Sequence, residues 1–256
     1  MNLTIHMSPA DIQATDPAVE DIYIVVDLIR ATTAITAIFD QGAQRILAAN
    51  TVEQAREAAR LLPGRLLCGE RNVQPLPGFD YGNSPVQFSR ANLSQRELIL
   101  TTTNGTRAFY ACPAQSLRLA GCFYNARAVT AYALDCARRQ HSNIAIVCAA
   151  ENNYFALDDT ICAGYLAQEI QRQEPDITCH ESVTAASGLY QLYPPSKLAA
   201  YCHSAAQVIA HGLSEDIDFC LRQNGSFSVA RVTGTEPRTG LLILEPVDSK
   251  FIPANS

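Results

Sequence analysis

Acidic side chains follow several apolar stretches of this chain, at positions where a buried strand would end. Asp27 closes the run DIYIVVD, and Glu70 follows the short run LLC. Glu151, Asp158 and Asp159 lie shortly beyond the run NIAIVCA. Carboxylate oxygens suit a hard cation such as Mg²⁺, and Asp27 is a candidate ligand for a metal or a phosphoryl group. The alternative for Asp27 is a role in a turn or as a helix cap. The alternative for Asp158 and Asp159 is that they lie in the first turn of a helix, where acidic side chains are favoured by the helix dipole.

A second group of polar residues lies in the stretch LILTTTNGTR, residues 98–107. The apolar and β-branched start predicts a strand, and the Asn-Gly pair breaks it before a helical run. Hydroxyl and backbone N–H groups of such a turn can donate to an anion, and an arginine adds positive charge. The turn therefore indicates an anion site at Thr103, Asn104, Gly105, Thr106 and Arg107. The alternative is an ordinary Asn-Gly turn after a threonine-rich strand.

Polar residues also occupy other predicted connections between strands and helices. The proline-rich residues 73–88 form a predicted loop. We expect it to contribute functional residues, since long loops inside compact domains are often functional. The alternative is a surface excursion without a role. The candidates for substrate contact or catalysis in these connections are Arg30, Arg71, Asn83, Ser84 and Asn125.

The apolar pattern predicts strands that alternate with helices over most of the chain. Thr51 and Gln54 have the spacing of a capping box, Thr32 or Thr33 is expected to cap the helix after Asp27, and Ser214 a later one. Strands are predicted at residues 2–6, 21–27, 45–49, 66–68, 98–103, 117–120, 143–149, 227–233 and 241–244, the last two as a hairpin. Helices are predicted near residues 31–41, 51–62, 108–111, 126–139, 158–171, 197–212 and 214–221, with helical or mixed structure at 177–187.

These elements predict an α/β fold, a three-layer α/β/α arrangement with a mostly parallel or mixed central sheet. In such sheets, ligands bind at the carboxyl ends of the strands, so we expect the active site there. Residues 1–172 form the predicted core that carries the site motifs. Residues 173–256 form a helical C-terminal part with a hairpin, packed on the same core.

The composition excludes several classes of protein. The chain has 256 residues, 48% of them hydrophobic, and a net charge of −6, which argues against a nucleic-acid binder. No signal peptide and no membrane-spanning run is predicted, so we expect a cytoplasmic protein. The nine cysteines are scattered without a CxxC pair and are interpreted as reduced, mostly buried thiols.

Several motifs together resemble the 2-phosphosulfolactate phosphatase family of coenzyme M biosynthesis. They occur in the family's order between about residues 24 and 166. Together they are a specific match to the family, whereas any one of them alone would be weak. The resemblance implies a Mg²⁺-dependent phosphatase with an α/β fold that acts on a phosphorylated sulfo-hydroxy acid. One departure is Asp158-Asp159, where family members commonly have Glu-Asp. The motifs are VVDLIRATTAI, CGERN with GFDYGNSP, LTTTNGTRA, the Asn-Ala of YNARAV, and VCAAEN with FALDDTICAG.

The resemblance and the residues lead to one mechanistic hypothesis. Asp27 holds Mg²⁺ together with one or more of Glu70, Asp158 and Asp159. Arg107 and the turn at 104–106 grip the phosphoryl group, Arg30 assists catalysis, and Arg71 is the candidate for a second acid group of the substrate. The nucleophile is either a water held by the metal or Asp27 itself, through a phosphoaspartate.

The expected partner is a small anionic phosphorylated substrate, without nucleic acid or membrane, and the size is compatible with a homodimer. Two other functions stay open at this point. One is a metal-dependent hydrolase or lyase that acts on a different anionic small molecule. The other is a non-catalytic binder of phosphorylated metabolites, although several carboxylates would oppose simple anion binding.

Overall fold

The computed structural model describes residues 1–14 and 21–251. Its strands and helices confirm most of the predicted elements. The strands are β1 (Asn2–His6), β2 (Ile22–Val26), β3 (Arg45–Ala48), β4 (Leu66–Arg71), β5 (Gln74–Pro75), β6 (Glu97–Thr101), β7 (Leu117–Gly121), β8 (Ile144–Cys148), β9 (Thr178–Cys179), β10 (Ala230–Thr235) and β11 (Leu242–Pro246).

Helices precede or follow nearly every strand. They are α1 (Pro9–Ala14), α2 (Ala31–Asp40), α3 (Val52–Leu61), α4 (Pro85–Ser89), α5 (Gly105–Ala111), α6 (Ala126–Gln140), α7 (Leu157–Gln173), α8 (Glu181–Leu192), α9 (Pro195–Leu198), α10 (His203–Ala210) and α11 (Ser214–Cys220), with a 3-10 turn at Ser249–Phe251. None of the described helices combines the length and the apolar character that crossing a bilayer requires.

The described strands form one mixed sheet in the order β5-β4-β6-β3-β11-β10-β7-β2-β8-β1-β9. Strands β7, β2, β8, β1 and β9 pair in parallel, and so do β3, β6 and β4. The C-terminal hairpin of β10 and β11 lies between these groups and is antiparallel to both neighbours. Three antiparallel pairings in succession mean that the two parallel groups run in opposite directions.

Strand β2 is buried on both faces, as its continuous apolar run predicts. Ile24 packs in the cluster that includes Val129 of α6 and Leu166 of α7. Tyr23 packs in the cluster that includes Ile35 of α2 and Phe109 of α5. Since successive side chains of a strand point to opposite faces, helices cover both faces of the sheet. The predicted α/β fold, with a mixed sheet between helical layers, is confirmed.

Local details of three helices differ from the predictions. Arg30, rather than Thr32 or Thr33, occupies the cap position of α2, because both threonine hydroxyls donate to backbone carbonyls at residues 27 and 28. Leu213, rather than Ser214, precedes α11. The single helix predicted at 197–212 is broken into α9 and α10. In contrast, Thr51 caps α3 as predicted and accepts from the Gln54 N–H at 3.2 Å.

The nine cysteines are free, and eight of them are buried, which confirms the prediction of reduced thiols used as small apolar residues.

Candidate active site

A cavity of about 310 Å³ lies at the carboxyl ends of strands from both parallel groups. Five pairings separate β2 from β6, and a twist of about 20–25° at each pairing accumulates to roughly 100–125°. This twist turns the ends of the two groups toward each other although their directions are opposite. Helix α10 contributes a further wall. The acidic residues that line the cavity are Asp27, Glu70, Glu151, Asp158 and Asp159.

Asp27 directly follows β2 and is only 8% exposed. Its Oδ1 accepts a hydrogen bond from the Ala31 N–H at 3.1 Å, whereas Oδ2 receives none from the described residues. Burial raises the pKa of Asp27 to about 7, and the charges of Asp158 and Glu70 act in the same direction. Asp27 is therefore a buried carboxyl group of the cavity lining, and its Oδ2 has no hydrogen-bond partner among the described residues.

Hydrogen bonds within the protein engage both oxygens of Glu70 and of Asp159. Glu70 accepts from the Thr103 N–H at 2.8 Å and from the Val73 N–H at 3.0 Å. Asp159 accepts from the Leu28 N–H at 2.8 Å and from the Ala150 N–H at 3.0 Å. These two acids thus fix the loops that surround Asp27.

Asp158 lies in the first turn of α7 beside Asp159, as the sequence predicted. Its Oδ2 accepts a hydrogen bond from the Ser204 hydroxyl at 2.8 Å, which ties α10 to α7. Burial raises the pKa of Asp158 to about 6, and the bond from Ser204 opposes this rise. Asp158 is thus the second buried carboxyl group that the cavity presents to a ligand.

Arg30 lines the cavity and is 4% exposed. Its guanidinium pairs with Asp216 of α11 at 2.9 Å and donates to the Val73 carbonyl at 2.9 Å. Asp216 also accepts from the Ser84 hydroxyl at 2.5 Å. A buried network thus holds Arg30 in one orientation toward the cavity.

Three of the predicted substrate contacts, Thr103, Asn104 and Asn83, also line the cavity. Asn83 is 4% exposed, and its Oδ1 is buried without a hydrogen-bond partner among the described residues. An unsatisfied buried acceptor costs about 1–3 kcal/mol, so a water or ligand that donates to it would be stabilised there. Asn83 is therefore poised to accept from such a donor.

The structure does not bring the other predicted contacts to the cavity lining. Arg71 donates to the Glu70 carbonyl and to Thr101, which holds it along the strand, and Arg107 is exposed on α5. Ser84 caps α4. The residues outside the lining are Arg71, Ser84, Gly105, Thr106, Arg107 and Asn125.

Asn125 has a structural position rather than a place at the cavity. Its side chain is fully buried and accepts from the Cys122 N–H at 3.0 Å. It also donates to the carbonyls of Ala120 and Ser228 at 3.1 and 3.0 Å. Asn125 therefore joins the end of β7 to the segment that enters β10.

Gly105 acts by its small size, because α5 begins against Asp27. An added Cβ would lie 2.4 Å from Ala31 Cβ and 2.7 Å from Asp27 Oδ2. We expect Gly105→Ala to lower the free energy of unfolding by about 1–3 kcal/mol. Activity should also fall because the carboxylate must move. Urea unfolding and the rate of the catalysed reaction would measure the two effects.

Gly188→Ala is the matched control, since a Cβ there meets nothing within 4 Å inside α8. Alanine is favoured over glycine in a helix by about 0.5–1 kcal/mol, so this variant should gain stability. A Gly105→Ala protein as stable and active as the unsubstituted protein would show that Asp27 has room beside α5.

Sequence reasoning missed several residues of the cavity. No motif and no predicted strand end points to His203, an exposed residue of α10 that lines the cavity. Asp216 is 186 residues from its partner Arg30, a contact that no local pattern indicates. The missed residues with polar side chains at the cavity or bonded to its lining include Asn72, Asn152, Tyr201, His203, Ser204, Gln207 and Asp216.

Within residues 1–14 and 21–251, no group of three or more His, Cys, Asp and Glu side chains has a geometry that could hold a metal ion. Mg²⁺ usually binds through one or two carboxylates and keeps several waters. Asp27 and Asp158, rather than a closed cage of three ligands, are therefore the carboxylates to test for a metal role.

An α/β fold with buried carboxylates, an arginine and amides in one cavity defines an enzyme-type site for a small polar ligand. The model of the family described as 2-phosphosulpholactate phosphatase matches residues 7–235. The chain belongs to this family, which confirms the resemblance seen in the motifs.

Relatives from several organisms have matching names. A probable 2-phosphosulfolactate phosphatase of Caldicellulosiruptor saccharolyticus is 31% identical over 83% of this chain and 89% of its own length. The one of Thermotoga maritima is 31% identical over 78% and 84%. The one of Deinococcus radiodurans is 35% identical over 80% and 85%. The family and the names of these relatives indicate a phosphatase.

Proposed function

We propose that this protein is a Mg²⁺-dependent phosphatase that hydrolyses the phosphate monoester of a small anionic hydroxy acid. The substrate proposed is 2-phosphosulfolactate, and the products are sulfolactate and phosphate. The family and the names of the relatives support this substrate. The chemistry is supported by the cavity itself.

The observation that carries the proposal is Asp27 Oδ2, which receives no hydrogen bond from the described residues, in a cavity lined by other buried acids. A site that only bound an anion would gain nothing from Asp27, Asp158 and Asp159 together, since like charges oppose each other. The same groups are useful when a cation lies between them and a phosphoryl group. This argument favours the enzyme over a non-catalytic binder.

Asp27 and Asp158 are the residues that would hold Mg²⁺. The two residues are 8% and 4% exposed, and burial disfavours their charged forms unless a positive charge lies nearby. Glu70 and Asp159 would support them, because their oxygens already accept hydrogen bonds from the surrounding loops. When bound, the ion would offset charge on the phosphoryl oxygens.

The chain's own residues then orient the reaction. Arg30 lies at the cavity in a fixed direction and offers N–H groups to a phosphoryl oxygen. Asn83 Oδ1 has no hydrogen-bond partner among the described residues, and a donor group of the bound substrate would satisfy it. In the overall hydrolysis, the bond between phosphorus and the hydroxy-acid oxygen breaks. Water oxygen becomes bonded to phosphorus, and a proton ends on the released hydroxyl group.

Phosphate release from a panel of phosphorylated hydroxy acids, with Mg²⁺ or with EDTA, tests the proposal. We expect release from 2-phosphosulfolactate that falls by about 10²-fold or more in EDTA, because a bound metal contributes several kcal/mol to the transition state. Restoration by added Mg²⁺ is the control. Release from other esters alone would retain the chemistry and change the substrate, whereas no release from any ester would refute the phosphatase.

A cytoplasmic location and a homodimer stay predictions.

A further inference from the structure

The cavity has two chemically different parts. Its inner part holds Asp27, Asp158 and Asp159, each less than a tenth exposed. Its rim consists of exposed or half-buried polar residues that include Asn104, Asn152, His203 and Gln207. Acids therefore dominate the inner part, whereas amides and a histidine are the prominent groups of the rim.

A substrate with two acid groups needs two places for negative charge. If the phosphoryl group lies among the inner acids, the remaining acid group must point toward the rim. Among the described residues that line the cavity, the basic side chains are Arg30 and His203. Arg30 is assigned to the phosphoryl group and is buried against Asp216, and Arg71 and Arg107 do not reach the lining. His203 is thus the basic group available at the rim.

Contacts on α10 hold His203 in place. Its Nε2 lies 2.9 Å from the Gln207 Nε2, one helical turn later, and 3.8 Å from Glu151 Oε1. Ser204, the next residue, bonds to Asp158 and fixes the start of α10 against the inner acids. The histidine is therefore placed at a defined position relative to the proposed phosphoryl site, and it keeps a large exposed surface.

We propose that His203 and Gln207 form the subsite that binds the second acid group of the substrate, a carboxylate or a sulfonate. The inference rests on the proposed phosphatase function and names the part of the site that selects acidic esters. His203 and Gln207 supply hydrogen bonds to the acid oxygens. Glu151 opposes binding there, because its charge lies beside the incoming anion.

The test compares His203→Ala with the unsubstituted protein on two esters, 2-phosphosulfolactate and p-nitrophenyl phosphate, which lacks the second acid group. We expect the ratio of the two kcat/KM values to fall about tenfold or more, mainly through the KM of the acidic ester. His211→Ala is the matched control, since this exposed histidine follows the same helix and lies outside the cavity. Its ratio should equal that of the unsubstituted protein.

Glu151→Gln is a second test, in which the selectivity for the acidic ester should change in the opposite direction. Removal of the negative charge should lower the KM for the acidic ester relative to p-nitrophenyl phosphate. A fold defect would not produce opposite changes in selectivity in the two variants. Equal ratios in His203→Ala and the unsubstituted protein would overturn the subsite while the phosphatase proposal stood.

Binding of sulfolactate, measured by calorimetry, separates the subsite from the chemistry. If no ester is hydrolysed but sulfolactate binds and loses about tenfold in affinity in His203→Ala, the subsite stands and the phosphatase proposal fails. If no ester is hydrolysed and His203→Ala leaves sulfolactate binding unchanged or undetected, both proposals fail.

Discussion

Replacement of Asp27 by asparagine is expected to abolish phosphate release and, at the same time, to stabilise the metal-free protein. Asp27 Oδ2 is the carboxylate oxygen that no described residue engages, so its charge is the part that the ligand uses. Asparagine keeps an oxygen that can accept from the Ala31 N–H, and the local fold should persist. We expect kcat/KM to fall by about 10³-fold or more.

The gain in stability follows from the raised pKa of Asp27, about 7 in the fold against 3.8 ordinarily. At pH values between these two pKa values, Asp27 is protonated in the folded protein and ionised in the unfolded chain. Stability therefore falls as the pH rises through this window. Asparagine carries no charge, so Asp27→Asn should be more stable by about 1–3 kcal/mol at pH 8 and nearly equal at pH 4.

Urea unfolding in EDTA at pH 4 and pH 8 would measure the free energy of unfolding of both proteins. Asp176→Asn is the control, because this exposed acid lies outside the cavity and should change neither stability nor activity appreciably. A gain for Asp27→Asn that is as large at pH 4 as at pH 8 would contradict the assignment to charge. Near-normal activity in Mg²⁺ would remove Asp27 from the centre of the mechanism.

Much of the fold could be predicted because the relevant signals are local. The run at 21–27 is continuous and β-branched, and burial on both faces needs that composition. Thr51 and Gln54 form the start of α3 from neighbouring residues alone. The final hairpin was likewise predicted from two short apolar runs. Each of these features depends on contacts within a few residues.

The order of the strands depends on contacts that the local pattern does not contain. The C-terminal hairpin enters the middle of the sheet, where β10 pairs with β7 and β11 with β3. The sequence predicted a C-terminal part packed on the core, but it offered no way to place these strands between the two parallel groups. The break between α9 and α10 escaped prediction similarly, since the local composition is helical throughout.

The site shows the same division between local and distant information. Asp27, Glu70, Asp158 and Asp159 were found because strand ends can be recognised locally and meet at one edge. Arg107 also follows a predicted strand end, but its side chain on α5 is exposed to solvent. Ser204 and Asp216 reach the site from the C-terminal part, where the sequence offered no recognisable motif, although the family model extends to residue 235. Their roles are visible only through hydrogen bonds to Asp158 and Arg30.

The ion pair between Arg30 and Asp216 is expected to give the largest loss of stability. The two side chains are 4% and 2% exposed and lie 2.9 Å apart. Asp216→Ala leaves the guanidinium buried without its counter-charge and removes the acceptor of the Ser84 hydroxyl. Loss of one partner of a buried pair costs about 3–5 kcal/mol. Urea unfolding would measure this loss.

Glu215→Ala is the matched control on the same helix. Glu215 pairs with Arg90 at 2.8 Å, but both side chains are more than 60% exposed. Exposed pairs contribute about 0–1 kcal/mol, so this variant should change stability little. A loss in Asp216→Ala no larger than that in Glu215→Ala would show that the buried pair does not hold α11 to the cavity.

The double variant Arg30→Met with Asp216→Leu separates stability from function. Apolar replacement of both partners removes the buried charges, so much of the lost stability should return. Activity should not return, because Arg30 directs its guanidinium to the cavity through bonds to Asp216 and Val73. Arg30→Lys should also fail, since an ammonium group cannot reproduce the two directed bonds of the planar guanidinium. If the double variant recovered activity together with stability, Arg30 would serve only to fold the cavity wall and would not contact the substrate.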